Sequence, residues 1–244
     1  MTNPFQRPTT PAEHVERALC VLAHPDDVDF GSAGTVATWT AAGTEVTYCI
    51  VTDGDAGGFD ETPRHEMGPL RQAEQRAAAA AVGVEDVRFL GYPDGRLELS
   101  LDLRRDISRV IRQVRPQRVL TSSPERFWDR IGASHPDHMT VGESTLRAVY
   151  PDARNPFTFT ELMDEGLEPW AVREVWMGAM QSPNRFVDIT DTVDRKLAAL
   201  RCHVSQLPDE EATIERVRQW VAATAKAADL PDGSSAEAFF VIET

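Results

Sequence analysis

Ala18-Leu19-Cys20-Val21-Leu22-Ala23-His24-Pro25-Asp26-Asp27 decides the fold: an uncharged apolar run, then an imidazole, a proline and two carboxylates. A continuous apolar run bounded by a turn signal reads as a strand buried on both faces, as in parallel sheets. Pro25 biases His24 away from helical geometry, so the chain turns where the apolar run ends. The same rhythm extends outward. Val46 to Thr52 (VTYCIVT) reads as a second buried strand, Val87 to Leu90 as a third and Arg118 to Ser122 as a fourth. Helical patterns fall between them, from Ser32 to Ala42, from Leu70 to Val82 with Gly83 as the stop, and from Leu101 to Val114 before Pro116. A further helix is expected from Pro136 to Val149. Strand and helix in alternation predict βαβ units, hence an α/β fold with a mostly parallel sheet flanked by helices.

The C-terminal third is less regular. Val175 to Met180 and Phe186 to Ile189 are expected as strands around a Ser-Pro-Asn turn, and Ala238 to Ile242 as a closing strand. Asp191 to Ser205 and Glu210 to Ala228 carry amphipathic helical patterns. No repeat or linker divides the chain, so residues 1–244 are expected as a single domain, with 1–15 as a loosely ordered N-terminal arm.

Composition narrows the function classes. Asp and Glu number 39 against 25 Lys and Arg, a net charge of −14. Such a surface repels phosphate backbones, so no nucleic-acid partner is expected. No apolar run approaches the ~18–20 residues that cross a bilayer, so no membrane partner is expected either. The N-terminus carries no basic-then-apolar secretion signal, and Cys20, Cys49 and Cys202 are odd in number and far apart. A cytoplasmic, reducing location without a disulfide framework follows as the expectation. A homo-oligomer is left open.

Two His-Pro-Asp tripeptides carry the chemistry. His24-Pro25-Asp26-Asp27 follows the first strand, and His135-Pro136-Asp137-His138 follows the fourth. Carboxyl ends of strands face the ligand crevice of an open parallel sheet, so both tripeptides are expected at one site. Taken alone, the first reads equally well as a turn whose aspartates cap the next helix. Together they offer His24, Asp27 and His138 as ligands of a divalent metal with one position open, the pattern of a catalytic zinc site.

These paired motifs resemble the LmbE-like, or PIG-L, family of metal-dependent N-acetylglucosamine deacetylases. Thr52-Asp53-Gly54, Leu70-Arg71-Gln72-Ala73-Glu74 and Leu90-Gly91-Tyr92-Pro93-Asp94-Gly95 extend the likeness, which spans Leu19 to Val149; Lys196 to Gln206 resembles the family's late helix. The resemblance implies a Rossmann-like fold and hydrolysis of an N-acyl group on a small glycoside, with Zn2+ as the usual metal and Fe2+ compatible with the same ligands. It implies His24, Asp27 and His138 as metal ligands and Asp26 as the base that deprotonates the attacking water. His135 would stabilise the oxyanion as a cation, with Asp137 behind it to orient the ring and keep it protonated. Arg71 would hold sugar hydroxyls, and Asp94 is a further substrate-binding candidate. Two positions depart from the pattern: Val28 and Asp29 stand where the family often has Glu, and Ala133 where some members have Tyr.

Other readings compete. A binding-only protein of the same fold would need no carboxylate beside the water site, and an amidase of thiol-cofactor S-conjugates would use the same machinery. A nucleotide-binding reading fails because Gly54-Asp55-Ala56-Gly57-Gly58 follows the second strand and does not spell GxGxxG. His14 and His65 are expected to be solvated and His203 to pack on a late helix. Arg71, were it a surface residue, would pair with Glu74 or Gln75. Phe157, Phe159, Trp170 and Trp176 are expected in the core rather than at a substrate mouth.

Overall fold

The computed structural model describes residues 13–59 and 61–244. Most of the expected N-terminal arm lies outside the described residues; Val15, assigned to it, is buried and accepts a hydrogen bond from Thr44 Oγ1 at 2.7 Å. β1 (Arg17–Leu22) leads into the short helix α1 (Asp27–Gly31) and then α2 (Ala33–Ala41). β2 (Glu45–Thr52), α3 (Arg64–Ala81), β3 (Asp86–Tyr92), α4 (Leu101–Val114), β4 (Arg118–Ser122) and α5 (Pro136–Arg147) follow in alternation. The remainder comprises α6 (Thr160–Asp164), β5 (Glu174–Gly178), β6 (Arg185–Asp188), α7 (Val193–Arg201), α8 (Glu210–Ala227) and β7 (Ala236–Glu243).

The sheet has seven strands in the order β3-β2-β1-β4-β5-β7-β6. The first five in chain order pair in parallel, whereas β7 runs antiparallel to both β5 and β6. Side-chain alternation along β1 separates two cores. Ala18, Cys20 and Leu22 pack on one face with α2, α3 and Ala199 of α7, while Leu19, Val21 and Ala23 pack on the other with α4 and Val141 of α5. Each face of β1 is therefore covered by helices, which accounts for its unbroken apolar sequence.

Three expectations need adjustment. The strands on either side of the Ser-Pro-Asn turn are not neighbours, because β7 inserts between β5 and β6. Helix α3 begins at Arg64 and continues through Pro69. A proline this close to the N-terminus removes a single ladder bond, to the carbonyl of solvent-exposed His65, so the helix tolerates it. Trp176 is fully buried between Trp39 and Phe239, as expected, whereas Phe157 is exposed. Cys20 and Cys49 are buried as free thiols on opposite faces of the sheet. Among the described residues no helix is long and apolar enough to cross a membrane.

Strands β2 and β3 extend from one edge of β1, and β4 and β5 from the other. The helices after β1 and β2 cover one face, and those after β3 and β4 the opposite face. The connections thus diverge above the carboxyl ends of β1 and β4, which opens a crevice there.

Candidate metal centre and active site

His24 leaves the end of β1 and His138 lies in the first turn of α5, so the crevice brings them together. Their facing atoms, His24 Nδ1 and His138 Nε2, are 3.1 Å apart. The Asp27 carboxylate closes the triangle, with Oδ1 3.0 Å from His138 Nε2 and Oδ2 3.5 Å from His24 Nδ1. Asp27 also stabilises its own turn, since its Oδ2 accepts from the His24 backbone N–H at 2.8 Å.

Protons decide what the triangle can hold. His24 Nε2 faces Asp94 Oδ1 at 3.0 Å and Asp137 Oδ2 at 3.3 Å. Carboxylates only accept, so Nε2 carries a proton and Nδ1 is the ring atom that a cation bound between His138 and Asp27 would take. Asp27, Asp94 and Asp137 thus crowd one imidazole, with Asp26 and the Arg71 guanidinium beside them. Burial alone would lower the His24 pKa, yet its bonds to Asp137, Asp27 and Asp94 push it up to about 12, so a cation bound at Nδ1 would displace a proton there. Two imidazole nitrogens and a carboxylate converging in a negative pocket, able to trade a proton for an ion, are the donor set of a cation site. Ligands about 2.0–2.1 Å from a tetrahedral ion stand roughly 3.3–3.4 Å from one another, and the separations here fall around that value. His24, His135 and His138, and His24, Asp94 and Asp137, form two further groupings with ligand atoms within 4.8 Å. The second would require the Nε2 lone pair of His24, which its two carboxylate neighbours disfavour.

Asp26 is held beside this centre in a left-handed backbone conformation, φ 94°. Its N–H donates to Gln75 Oε1 at 2.8 Å, and its Oδ2 accepts from Arg71 Nη2 at 3.0 Å. Burial pushes its carboxyl up to about 6, the Asp27 charge adds to that push, and Arg71 opposes it. Arg71 itself is buried. Its guanidinium also donates to the Pro25 carbonyl and, at 3.0 Å, to the Gly54 carbonyl. A Cβ at Gly54 or Gly57 would run into that guanidinium, so glycine lets the loop close over it. Glu74 and Gln75 do not pair with Arg71: Glu74 accepts from Ser205, and Gln75 bridges Asp26 and Asp29.

The contacts of several expected site residues are set by this geometry. Arg71 gives its Nη donors to the Pro25 and Gly54 carbonyls and to Asp26, so it braces the Asp26 carboxylate, while its buried Nε has no partner among the described residues. Asp94 accepts from His24 and from the Ala56 backbone N–H at 3.3 Å, which draws it out of the open cavity. The Asp137 carboxylate does not stand behind His135. Its oxygens take His24 Nε2 and the backbone N–H groups of Gly95 and Leu97, at 2.7 and 3.3 Å. Burial favours protonated Asp137, but these bonds outweigh it and keep the carboxyl below its ordinary range. His135 is exposed, and its Nδ1 accepts from the Asp137 backbone N–H at 3.3 Å. Desolvation, then the neighbouring His24 and His138, lower its pKa. With Nδ1 accepting from that backbone N–H, Nε2 is the ring nitrogen left to donate, and the Asp137 carboxylate makes no hydrogen bond to the ring.

A second buried cluster supports the turn from below. His203 Nε2 donates to Asp29 Oδ2 at 2.8 Å, and Gln75 Nε2 donates to the same oxygen at 2.9 Å. Lys196 Nζ donates to the Asp29 and Phe30 carbonyls and to Glu237 Oε1, while Glu237 accepts from the Gly34 and Thr35 N–H groups. Sequence reasoning registered Asp29 only as a departure and His203 only as packing. His14 and His65 are exposed as expected.

A profile of the PIG-L family, described as GlcNAc-PI de-N-acetylase, matches residues 19–149. The chain belongs to the PIG-L family. Diacetylchitobiose deacetylase of Thermococcus kodakarensis is 34% identical over 201 residues, 82% of this chain and 73% of the relative. A probable N-acetyl-alpha-D-glucosaminyl L-malate deacetylase 2 of Bacillus cereus is 32% identical, covering 81% of this chain and 88% of the relative. Among solved structures, N,N'-diacetylchitobiose deacetylase of Pyrococcus horikoshii superposes with a TM-score of 0.86 at 30% identity, covering 93% of this chain and 84% of the other. PIG-L relatives of this chain are thus named as deacetylases, and the family's motifs coincide with the crevice residues described above.

Proposed function

We propose that this chain is a metal-dependent hydrolase that removes the N-acetyl group from a small N-acetylglucosamine-type glycoside. The observation that carries the reading is the meeting of His24 Nδ1, His138 Nε2 and the Asp27 carboxylate within 3.0–3.5 Å, with Asp26 on the adjoining residue. Zn2+ is the metal that two imidazoles and one carboxylate favour, and Fe2+ is compatible with the same set. Held by His24, Asp27 and His138, such an ion would supply Lewis acidity toward the amide carbonyl and lower the pKa of a coordinated water.

The chain's own residues supply the proton transfers. Asp26, with a carboxyl pKa raised to about 6 by burial, is matched to accept a proton from the attacking water at neutral pH. Once protonated, it carries the proton that the departing amine requires. Arg71 and Gln75 fix its orientation from the two sides of the turn. The Nε2–H of His135 is the donor available to the oxygen on which charge develops. Asp94 and Asp137 hold His24 in the tautomer that leaves Nδ1 free. Buried free Cys20 and Cys49 accord with a cytoplasmic setting.

The test is amine release from an N-acetylglucosaminyl glycoside by metal-loaded wild type and Asp26→Asn. The reading expects turnover in the first and its loss in the second at equal metal content. Equal turnover in both would remove Asp26 from the mechanism.

A further inference from the structure

Two cavities meet at Phe30 and Trp220. The first, about 350 Å3, is lined by Asp27 and His138 and also by Phe127, Met180 and Trp220, so it opens directly on the metal centre. The second, about 500 Å3, shares Phe30 and Trp220 and runs out past Phe59 and Pro208. Both volumes fall in the range of small-molecule sites. The opposite side of the centre is closed, because Arg71, Gly54 and Gly57 pack against one another and Asp94 lies on His24. A substrate whose amide reaches the centre must therefore project its remaining bulk toward α8.

Helix α8 presents a continuous wall there. Thr213, Val217, Trp220 and Thr224 recur at helical spacing and line one cavity or the other. Trp220 is 53% exposed and Phe59 71% exposed, although large aromatic rings are ordinarily buried. Such rings at a cleft mouth offer flat faces to a ligand with an apolar face of its own.

Resting on the deacetylase reading, we infer that Trp220 and Phe30 form the seat for a flat apolar face of the glycoside's aglycone. The shared chemistry is a planar apolar face, which either a second pyranose ring through its C–H face or an aryl group supplies. Trp220 is then the residue that separates extended ligands from a single sugar. It touches the part of the ligand remote from the reacting bond, so its contribution falls in binding rather than in turnover.

Calorimetric titration of metal-loaded protein with N-acetylglucosamine, N,N'-diacetylchitobiose and an aryl N-acetylglucosaminide tests this, using Asp26→Asn as background so that ligands stay intact. At least one extended ligand is expected to bind about 3- to 10-fold tighter than the monosaccharide, the scale of one aromatic contact. Adding Trp220→Ala should erase that advantage without changing monosaccharide affinity or metal content, and Trp220→Phe should retain most of it. A disaccharide-only advantage identifies a sugar as the occupant, and an aryl-only advantage identifies an aromatic aglycone. No advantage for either ligand, no binding at all, or an advantage that survives Trp220→Ala overturns the inference. Absence of amine release by the wild type, with the Trp220 contrast intact, would instead refute the deacetylase reading and leave the seat standing.

Discussion

In the proposed mechanism Asp26 is the residue on which the chemistry turns, and its backbone is strained. A non-glycine residue at φ 94° costs on the order of 1–3 kcal/mol and persists only when its surroundings enforce it. Here Gln75 anchors its N–H, while Arg71 anchors the preceding carbonyl and the Asp26 carboxylate itself. Asp26→Asn keeps the shape and the bracing but loses the proton acceptor. Hydrolysis should fall ~10²–10⁴-fold with metal content unchanged, measured by amine release beside elemental analysis. Arg71→Ala should lower kcat more than it raises KM, because the guanidinium orients Asp26 and does not reach the open cavity. It should also cost about 1.5–3 kcal/mol of stability through lost charge-assisted hydrogen bonds, read by denaturant unfolding. A rise in KM alone, with kcat and stability intact, would return Arg71 to sugar binding. The sequence singled out Asp26 and Arg71 because short motifs carry them, but it did not place Gln75 against Asp26. It did not give the contacts of Asp94, Asp137 and Arg71 within the chain, since a carboxylate or guanidinium chooses its partner through tertiary contacts that local spacing does not encode.

At the level of elements, α7, the segment following it and β7 are tied to the catalytic turn by buried charge. Lys196 of α7 reaches Glu237 of β7 and the α1 carbonyls, and Glu237 caps the N–H groups at the start of α2. Lys196→Met would strand Glu237 without its cation, and breaking a buried pair typically costs about 3–5 kcal/mol. Chemical denaturation should show that loss. His203 and Asp29 make a pH-dependent counterpart. Burial acts to lower the His203 pKa, but the Asp29 hydrogen bond and charge, with Asp26 and Glu74 beyond, raise it above its ordinary value. A folded-state pKa above the unfolded one means that stabilisation is full below about pH 6.5. It is lost as pH rises through the raised value. The stability gap between wild type and His203→Ala should therefore shrink on going from pH 6 into the alkaline range; a gap that widens contradicts the ion pair. Elements with strong local signals were legible: α4 stops before Pro116, and β1 and β2 carry mostly apolar, buried runs. The insertion of β7 between β5 and β6 was not, because antiparallel pairing of sequence-distant strands leaves no local mark.

Across the whole molecule, the strand order places the reaction at one crevice and leaves it open on one side. The direction of winding reverses between β1 and β4, the two His-Pro-Asp motifs follow those strands, and Arg71 with its glycine loop seals the flank toward β2 and β3. The fold class was readable from alternation alone. The open side was not, because Phe30, Phe127 and Trp220 lie far apart in sequence and only the folded chain assembles them. The central claim is that a cation held by His24, Asp27 and His138 makes this crevice an N-deacetylase. Its most direct test is amine release from an N-acetylglucosaminyl glycoside while Zn2+ is titrated into chelator-treated protein. The account predicts activity that climbs from baseline and breaks at one ion per chain, with no climb in His24→Ala/His138→Ala. Full activity before any ion is added, or an equal climb in the double variant, would contradict it.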